Sequence, residues 1–331
     1  MDLATRIDLL HRLGEYMLSG SEDWKEAKEK ASLHNPWFIP EFVELACNAI
    51  VKGFLQKQEL QDWALQYSIP GKQLRPKIVG IVMAGNVPLV GFHDFLAAFI
   101  SGHRQLDKLS SKDEILLKHL VGKLVEWNGA VADYVSFSEL LKNCDAYIAT
   151  GSNNSARYFQ YYFSRYANLI RKNRTSVAVL TGMETHEQLE KLADDVYLYF
   201  GLGCRNVTKL YAPVSYDFGP LLNIFKKYDY LAEFHKYKNN YDYRLALLIL
   251  NRQFYMTNGS ILLTENVSPF SAISELHYEF YEKEVDVSSG ELTNQIQCLV
   301  GTGLIPFGQA QQPDLCDYAD GSDTLQFLLD L

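Results

Sequence analysis

A continuous apolar run near residue 80 constrains the fold of this chain more than any other feature. The segment KIVGIVMAG is rich in β-branched residues and lacks the alternation of a strand with one face in water. A run of this length is typical of a parallel strand covered by helices on both faces. It ends before Asn86. Pro88 then predicts the first turn of a helix that carries Leu89 inward and ends at Gly102.

The same order of strand, polar turn and helix recurs along the chain. RQLDKLS predicts a second strand, SSKDEILLKHLVGKLVEW a helix capped by Ser110 or Ser111, VSFSELLKNC a short helix, and DAYIAT a third strand. TSVAVL, NVTKLYAP, ILLTEN and the region from Tyr278 to Val287 predict further strands, with helices between them. Alternating strands and helices indicate an α/β fold with mostly parallel sheets.

The length and the change of pattern along the chain predict two domains. A chain of 331 residues suits one large domain or two of ordinary size. Helical spacing of apolar residues predicts a helical region at residues 1–70. We expect one domain at residues 1–172, which includes this region, and a second at residues 173–331, which ends in a C-terminal tail.

Composition and charge restrict the partners and the compartment. The net charge of −9 disfavours binding to nucleic acid, which usually needs a basic patch. The five cysteines lie far apart without a C-x-x-C pair, which disfavours disulfides and zinc and favours a reducing compartment. The N-terminus lacks the apolar segment of a signal peptide, and the longest apolar stretch, Ile78–Phe92, is too short and interrupted to span a membrane. We expect a cytoplasmic protein.

The segment FGLGCRNVTKLYAP places one thiol, Cys204, in a Gly-x-Gly bend between a predicted helix and a predicted strand. A thiolate here could act as a nucleophile, and the adjacent Arg205 could supply positive potential. The glycines would let backbone N–H groups approach a reacting carbonyl. Free cysteines are also often small, buried and inert. The local pattern alone favours that inert role.

Polar residues follow the predicted strands at three more places. Asn86 could aim its side-chain amide at a developing oxyanion, although asparagine is also favoured in turns and at helix N-caps. The turn TGSNNS opens a helix whose N–H groups could hold an anion, but it is not a G-x-G-x-x-G motif. Lys108 could reach a phosphate or a ribose hydroxyl, or could simply be solvated.

Other catalytic and metal-binding patterns are missing from the sequence. It contains no H-E-x-x-H, G-x-S-x-G or calcium-loop motif, and its eight histidines do not cluster with carboxylates at the spacing of metal ligands. We therefore predict no metal site.

Taken in order, these segments resemble those of the aldehyde dehydrogenase superfamily, and more closely its acyl-CoA reductase branch, which includes the fatty acid reductase of bacterial bioluminescence. MAGNVPL is similar to the segment with the oxyanion-hole asparagine, LDKLSSKDEIL to K-P-S-E-x-T-P-L, IATGSNNSARYF to F-T-G-S-T-x-x-G, and FGLGCRNVTKLYAP to the segment with the catalytic cysteine. TENVSPFSAISELHYEFY is similar to the E-I-F-G-P segment, and IPFGQAQQPDLCDYADGSDTLQFL to the C-terminal signature of the branch.

The resemblance implies a fold and a role for each matching residue. The implied fold is aldehyde-dehydrogenase-like, with a Rossmann-like cofactor domain behind the helical N-terminal region and an α/β catalytic domain after it. Cys204 would be the nucleophile and Asn86 the oxyanion donor. The cofactor would be contacted by Lys108 at the adenosine ribose, by Thr150, Gly151 and Ser152 beside the nicotinamide half, and by Glu275 at the nicotinamide ribose.

Two departures from the superfamily pattern bear on the chemistry. Hydrolytic members carry a glutamate in an E-L-G-G-K segment, whereas the matching stretch here, RKNRTSVAVL, contains none. This favours thioester chemistry, because transfer to or from coenzyme A needs no activated water. Ser111 replaces the K-P-S-E glutamate that would repel a 2′-phosphate. NADPH and NADH therefore both remain candidate cofactors, and Lys108 or Lys112 would contact the 2′-phosphate of NADPH.

These features imply NAD(P)H-dependent reduction of a fatty acyl-CoA to an aldehyde through an acyl-cysteine. A non-acylating aldehyde dehydrogenase and a non-catalytic, acyl-carrying subunit on the same scaffold remain alternatives. The resemblance also implies an acyl-transferring partner enzyme. The chain is shorter than most members of the superfamily, so the oligomeric state is left undecided, with a homodimer as one candidate.

Overall fold

The computed structural model describes residues 1–282 and 294–331 and divides them into two compact units. The first unit contains Met1–Asn173 and Pro313–Leu331, and the second contains Arg174–Gln312. Of the predicted strand from Tyr278 to Val287, the part after residue 282 lies outside the described residues.

The first unit begins with four helices, as the apolar spacing predicts. They are α1 (Leu3–Leu18), α2 (Glu22–His34), α3 (Pro40–Phe54) and α4 (Lys57–Gln66). The first of them starts where the Asp2 carboxylate accepts a hydrogen bond from Thr5 N at 2.8 Å, which satisfies an N–H group that the helix itself leaves unpaired. Leu10 and Leu13 on its inner face are fully buried in the core of the unit.

The same unit contains a parallel sheet of five strands. Its strands are β1 (Ile78–Val82), β2 (Arg104–Lys108), β3 (Val135–Phe137), β4 (Ala146–Thr150) and β5 (Ala167–Arg171), in the order β3-β2-β1-β4-β5. Helices α5 (Phe92–Ser101), α6 (Ile115–Trp127) and α7 (Asn153–Phe163) alternate with them. The strand order reverses between β1 and β4. Open α/β sheets bind ligands at the carboxyl ends of the strands at such a reversal.

The helix after β1 starts later than the sequence predicts. Pro88 does not open it, and α5 begins at Phe92. Leu89 has φ +55°, which no α-helix accommodates, and its N–H group donates to Asp113 Oδ2 at 2.7 Å. This contact, across 24 residues of sequence, holds the segment as a turn. The end of α5 at Gly102, in the left-handed conformation at φ +82°, is confirmed.

Two other local predictions are wrong. SSKDE is not the start of a helix capped by Ser110 or Ser111, because Asp113 N bonds to Ser110 O in a turn and α6 begins only at Ile115. VSFSELLKNC is not a helix, because its first residues form β3, which pairs with β2. The edge strand β5 has no counterpart among the predicted strands. Short edge strands depend on neighbours that are distant in sequence, so local pattern misses them.

The second unit contains a sheet of six strands. They are β6 (Thr175–Val179), β7 (Val207–Pro213), β8 (Met256–Thr257), β9 (Leu262–Glu265), β10 (Glu275–Tyr281) and β11 (Ile296–Gly301), in the order β11-β6-β7-β10-β9-β8. The pairing is parallel except between β8 and β9. Helices α8 (His186–Tyr197), α9 (Gly219–Ile224) and α10 (His235–Leu250) lie between the strands in sequence.

The C-terminal tail belongs to the first unit, which differs from the predicted domain of residues 173–331. Its helix α11 (Thr324–Leu329) buries Leu325 and Leu328 in the core that contains α1 and α5. His103 fixes the tail further. Its Nδ1 accepts from Lys77 N at 3.0 Å, so its Nε2 carries the proton and donates to Leu328 O at 2.8 Å. Burial of these leucines, rather than chain order, decides where the tail packs.

Replacement of Gly53 by alanine should loosen the tail. A Cβ on Gly53, in α3, would lie 2.3 Å from Pro313 O, closer than any real contact. We expect the free energy of unfolding in urea to fall by about 1–3 kcal/mol, as in other overpacked cores. Gly122→Ala in α6 is the matched control, because a Cβ there meets nothing within 4 Å. It should keep or raise stability, and equal losses in the two variants would contradict the packing account.

Candidate active site

The predicted residues of the first unit follow the carboxyl ends of its central strands. Asn86 lies in the loop after β1, Lys108 is the last residue of β2, and Thr150 is the last residue of β4. These three positions therefore flank the reversal of strand order between β1 and β4. The sequence predicted the residues separately, and the sheet brings them to one edge.

The loop that carries Asn86 is fixed against the loop after β2. Asn86 itself is exposed. At Gly85 a Cβ would lie 2.5 Å from the Ser110 side chain, so only glycine allows the two loops to approach this closely. Asp113 adds to the attachment, because its buried carboxylate binds the N–H groups of Leu89 and Val90. The backbone on both sides of Asn86 is therefore held in place, as an oriented donor requires.

Asp113 is a buried acid that the sequence analysis did not single out. Burial raises its pKa to about 7, and the two backbone hydrogen bonds oppose that rise. Its Oδ1 has no hydrogen-bond partner among the described residues. A carboxyl group in this setting costs free energy when it ionises.

Replacement of Asp113 by a residue that does not ionise should make the free energy of unfolding less dependent on pH. The folded-state pKa lies above the ordinary value of 3.8, so the folded state binds the proton more tightly and loses stability as pH rises from about 4 to about 7. Asp113→Asn keeps an acceptor for Leu89 N and does not ionise. Relative to this variant, the wild type should lose on the order of 2 kcal/mol of unfolding free energy between about pH 5 and about pH 8.

Asp145→Asn is the control for that measurement. The Asp145 carboxylate also accepts a backbone hydrogen bond, from Ile78 N at 2.7 Å, but the residue is exposed. Its difference in stability from the wild type should stay constant over the same pH window. An Asp113→Asn difference that is equally constant would show that burial of Asp113 is not costly.

The loop after β2 carries two further predicted cofactor residues. Ser111 and Lys112 are exposed. Their backbone carbonyls accept hydrogen bonds from His34 Nε2 at 2.7 Å and from Asn35 Nδ2 at 3.2 Å. The end of α2 therefore fixes the backbone of this loop beside Lys108.

The turn after β4 caps the next helix. Ser152 is the N-cap of α7, and its Oγ accepts from Ser155 N at 3.2 Å. A Cβ on Gly151 would lie 2.9 Å from Ser155 and 3.0 Å from Phe159, so the close approach of strand and helix needs glycine here. The predicted turn at the start of a helix is thus present.

In the second unit, Cys204 is the second residue of a tight turn between α8 and β7. Asn206 N donates to Gly203 O at 3.1 Å and closes the turn. Cys204 is partly exposed, whereas Cys47, Cys144 and Cys298 are buried. Ser176 Oγ, on β6, donates to Cys204 O at 3.0 Å and accepts from Cys298 N at 3.1 Å. The backbone of the cysteine is therefore anchored to the strands beside it.

Arg205, the residue after Cys204, contacts another strand and a distant loop. Its Nη1 lies 3.4 Å from Cys298 Sγ and 3.4 Å from Ala310 O. Ala310 belongs to a loop that Asp195 also binds, because its carboxylate accepts from Gly308 N at 2.6 Å and from Ala310 N at 3.1 Å. Burial raises the pKa of Asp195 to about 7. Arg205 thus joins this loop to the turn of Cys204, and Asp195 joins it to α8.

Glu275 is engaged within its own unit. It is the first residue of β10 and is buried. Its Oε2 accepts from Arg244 Nε at 2.9 Å and from Arg244 Nη2 at 2.5 Å, and its Oε1 accepts from Thr264 Oγ1 at 3.1 Å. A buried carboxylate that is paired in this way favours a structural role.

The described part of the chain contains neither a cluster of metal-ligating side chains nor a helix suited to crossing a membrane. Within residues 1–282 and 294–331, no group of three or more histidine, cysteine, aspartate or glutamate side chains could hold a metal ion. Over the same residues, no helix combines the length and the apolar character that crossing a membrane requires.

Comparison with known proteins gives a family and a fold. The family model described as acyl-CoA reductase (LuxC) matches residues 48–213, a span that includes Asn86, Lys108 and Cys204. No curated protein sequence matches the chain significantly. The chain resembles the structures of an NAD-dependent aldehyde dehydrogenase from Sinorhizobium meliloti, with 14% identity over 91% of this chain and 70% of that chain and a TM-score of 0.65, and of the aldehyde dehydrogenase KauB from Pseudomonas aeruginosa, with 13% identity over 91% and 72% and a TM-score of 0.65.

A third similar structure is aldehyde dehydrogenase 21 from Physcomitrella patens, with 11% identity over 91% of this chain and 73% of that chain and a TM-score of 0.64. At such identities the likeness concerns the fold. The aldehyde-dehydrogenase-like α/β fold predicted from the sequence is confirmed.

Proposed function

Since the chain belongs to the acyl-CoA reductase (LuxC) family, we propose that it reduces an acyl-CoA thioester to the aldehyde through an acyl-cysteine on Cys204. The placement of Cys204 carries the proposal. It is partly exposed, and its turn is fixed by Gly203, Ser176 and the neighbouring strands. A nucleophile needs such access and such a fixed position.

The first step uses the Cys204 thiolate. Its sulfur attacks the thioester carbonyl carbon, and the carbonyl electrons move onto the oxygen. We assign the Asn86 side-chain amide and the Cys204 backbone N–H as donors to this oxyanion. When the carbonyl reforms, the carbon–sulfur bond to coenzyme A breaks, and coenzyme A leaves as a thiolate. The same donors would stabilise the second tetrahedral state, which releases the aldehyde.

The segment that matches the E-L-G-G-K motif of the hydrolytic members provides no base for water. In RKNRTSVAVL, residues 171–180, no side chain is a carboxylate. Arg171, at the end of β5, is buried and donates to both oxygens of Asp94 at 2.7 Å. An acyl-cysteine in this protein is therefore suited to reduction or to transfer onto a thiol.

The first unit fits a nicotinamide cofactor. Its reversal of strand order lies between β1 and β4, where dinucleotides bind in open α/β sheets. Gly151 and Ser152 lie at the start of α7, and helix starts favour phosphate. NADPH or NADH, when bound, would supply the hydride. We assign Lys108, Ser111 and Lys112 to the adenosine half of the cofactor. We assign Thr150, Gly151 and Ser152 to its nicotinamide half. Glu275 is given no role in cofactor binding, because its carboxylate is paired with Arg244.

Product analysis tests the proposed function. The protein is incubated with acetyl-CoA, octanoyl-CoA or palmitoyl-CoA and with NADPH or NADH, and aldehyde and free coenzyme A are measured. We expect equal amounts of the two products with at least one acyl-CoA. In a parallel incubation with octanal and NAD+ or NADP+, formation of octanoic acid and reduced cofactor without coenzyme A would instead identify a non-acylating aldehyde dehydrogenase. Acylation without turnover would identify an acyl-carrying subunit.

The proposal extends to assembly, partners and location. We propose a cytoplasmic enzyme that forms a homodimer and receives acyl groups from a partner enzyme as well as from acyl-CoA. Light scattering of the purified protein tests the dimer, and a monomer at micromolar concentration would contradict it.

A further inference from the structure

The backbone immediately before the Cys204 turn is strained. Tyr199 and Phe200 adopt left-handed conformations, at φ +55° and +57°, and Gly201 follows at φ +71°. Side chains with a Cβ are disfavoured in this region, and bulky residues adopt it rarely. Both aromatic residues are buried, and Phe200 packs against Phe234 and Tyr237. Strain of this kind persists where the surroundings enforce it, and it clusters at functional sites.

Helix α8 ends at Tyr197, just before the left-handed stretch, and Asn206 binds the carbonyls at that end. Its Nδ2 donates to Leu198 O at 2.8 Å and to Asp195 O at 3.1 Å, and it lies 3.4 Å from Val196 O. Its Oδ1 accepts from Gly203 N at 2.8 Å. Asn206 is fully buried. One side chain thus connects the end of the helix to both ends of the turn that contains Cys204.

We propose that Asn206 is a positioning residue for Cys204. Its amide locks the turn onto the end of α8, against the backbone strain at Tyr199 and Phe200, and so fixes where the sulfur meets a thioester carbonyl. This inference rests on the proposed function, because it concerns the acylation step. A displacement of about 1 Å at a nucleophile can reduce the rate on the order of 10²-fold.

If Asn206 had a purely structural role, its loss should affect the protein no differently from the loss of a similar asparagine outside the Cys204 turn. Asn258 is such a residue. Asn258 stabilises the turn between β8 and β9 in a similar way. Its Nδ2 lies 3.3 Å from Tyr197 Oη and from Leu222 O, and its Oδ1 accepts from Ser260 N at 3.0 Å and from Ile261 N at 3.1 Å. Asn258→Ala removes a comparable set of hydrogen bonds without touching the Cys204 turn.

The test compares Asn206→Ala with Asn258→Ala in the full chain, at a temperature where both are folded. The single-turnover rate of Cys204 acylation by an acyl-CoA is measured beside the rate of its alkylation by iodoacetamide. Alkylation by a small free reagent needs a thiolate and access but no fixed geometry. We expect Asn206→Ala to slow acylation on the order of 10- to 100-fold and to lower kcat more than it raises KM. Alkylation should change less than about threefold, and Asn258→Ala should leave the ratio of the two rates near wild type.

Asn206→Asp provides a second variant if the alanine variant does not fold. It keeps the acceptor for Gly203 N but places a carboxylate oxygen against the helix carbonyls. Protonation restores one donor, so its acylation rate relative to wild type should rise as pH falls. The groups around the turn that titrate or carry charge, Cys204, Cys298, Arg205 and Asp195, are the same in both proteins. A ratio that does not depend on pH would contradict the positioning role.

The failures of the two proposals can be told apart. If the wild type is not acylated by any acyl-CoA, the proposed function is wrong, and the positioning role in acylation is wrong with it. If the wild type is acylated and Asn206→Ala matches Asn258→Ala in both rates, only the positioning role is overturned.

Discussion

Cys204→Ala should abolish reduction of acyl-CoA, with no aldehyde above the uncatalysed background. The proposed reaction passes through a covalent bond to the Cys204 sulfur, and an alanine methyl group cannot form it. Binding of NADPH or NADH should remain near wild type, because the proposed cofactor residues lie in the first unit and Cys204 in the second. Aldehyde formation and the change in cofactor fluorescence on binding measure the two properties separately.

The matched control is Cys316→Ala. Cys316 is an exposed thiol in the C-terminal tail, so loss of an accessible cysteine as such is tested without changing the proposed nucleophile. Its kcat should stay within about twofold of wild type, as surface substitutions usually do little. Full activity of Cys204→Ala would show that another group carries the chemistry.

Asn86→Ala should lower kcat on the order of 10²-fold, the cost of losing one oxyanion donor. The structure removes one alternative for this residue, because the N-cap of α5 is Gly91 and not Asn86. The role of turn former remains to be separated from that of donor. The fixed loop, held by Asp113 and by the approach of Gly85 to Ser110, should keep its shape in the variant.

The variant Asn86→Asp separates the role of oxyanion donor from that of turn former. Aspartate favours turns as asparagine does but cannot donate from an ionised carboxylate. A donor role predicts that this variant loses at least as much kcat as Asn86→Ala, because the carboxylate also repels the oxyanion. Near wild-type turnover in Asn86→Asp would mean that Asn86 only shapes the loop.

Much of the fold was readable from the sequence where a pattern is local. KIVGIVMAG gave β1 because a strand buried on both faces needs an unbroken apolar run. The prediction that Pro88 opens a helix was wrong, because the contact with Asp113 holds its segment as a turn. Local sequence pattern does not reveal that contact. The tail was misplaced for the same reason. Its leucines could be buried on either unit, and only the packed structure decides.

The candidate site also contains some residues that the sequence indicates and others that it does not. Cys204, Asn86 and the turn at Gly151 are visible in sequence because their residue types and neighbours match known segments. Asn206 and Asp195 are not visible, although they stand close to Cys204 in the chain. Both act on backbone groups, Asn206 on carbonyls and Asp195 on N–H groups of a loop more than 100 residues away. A side chain that binds backbone leaves no pattern in its partner's sequence.

Mass spectrometry of the intact protein after incubation with acyl-CoA tests the central claim most directly. The account predicts a mass increase of one acyl group in the wild type, located on Cys204 by peptide mapping, lost on addition of NADPH or NADH, and absent from Cys204→Ala. No adduct with acetyl-CoA, octanoyl-CoA or palmitoyl-CoA, or an adduct that persists in Cys204→Ala, would contradict it.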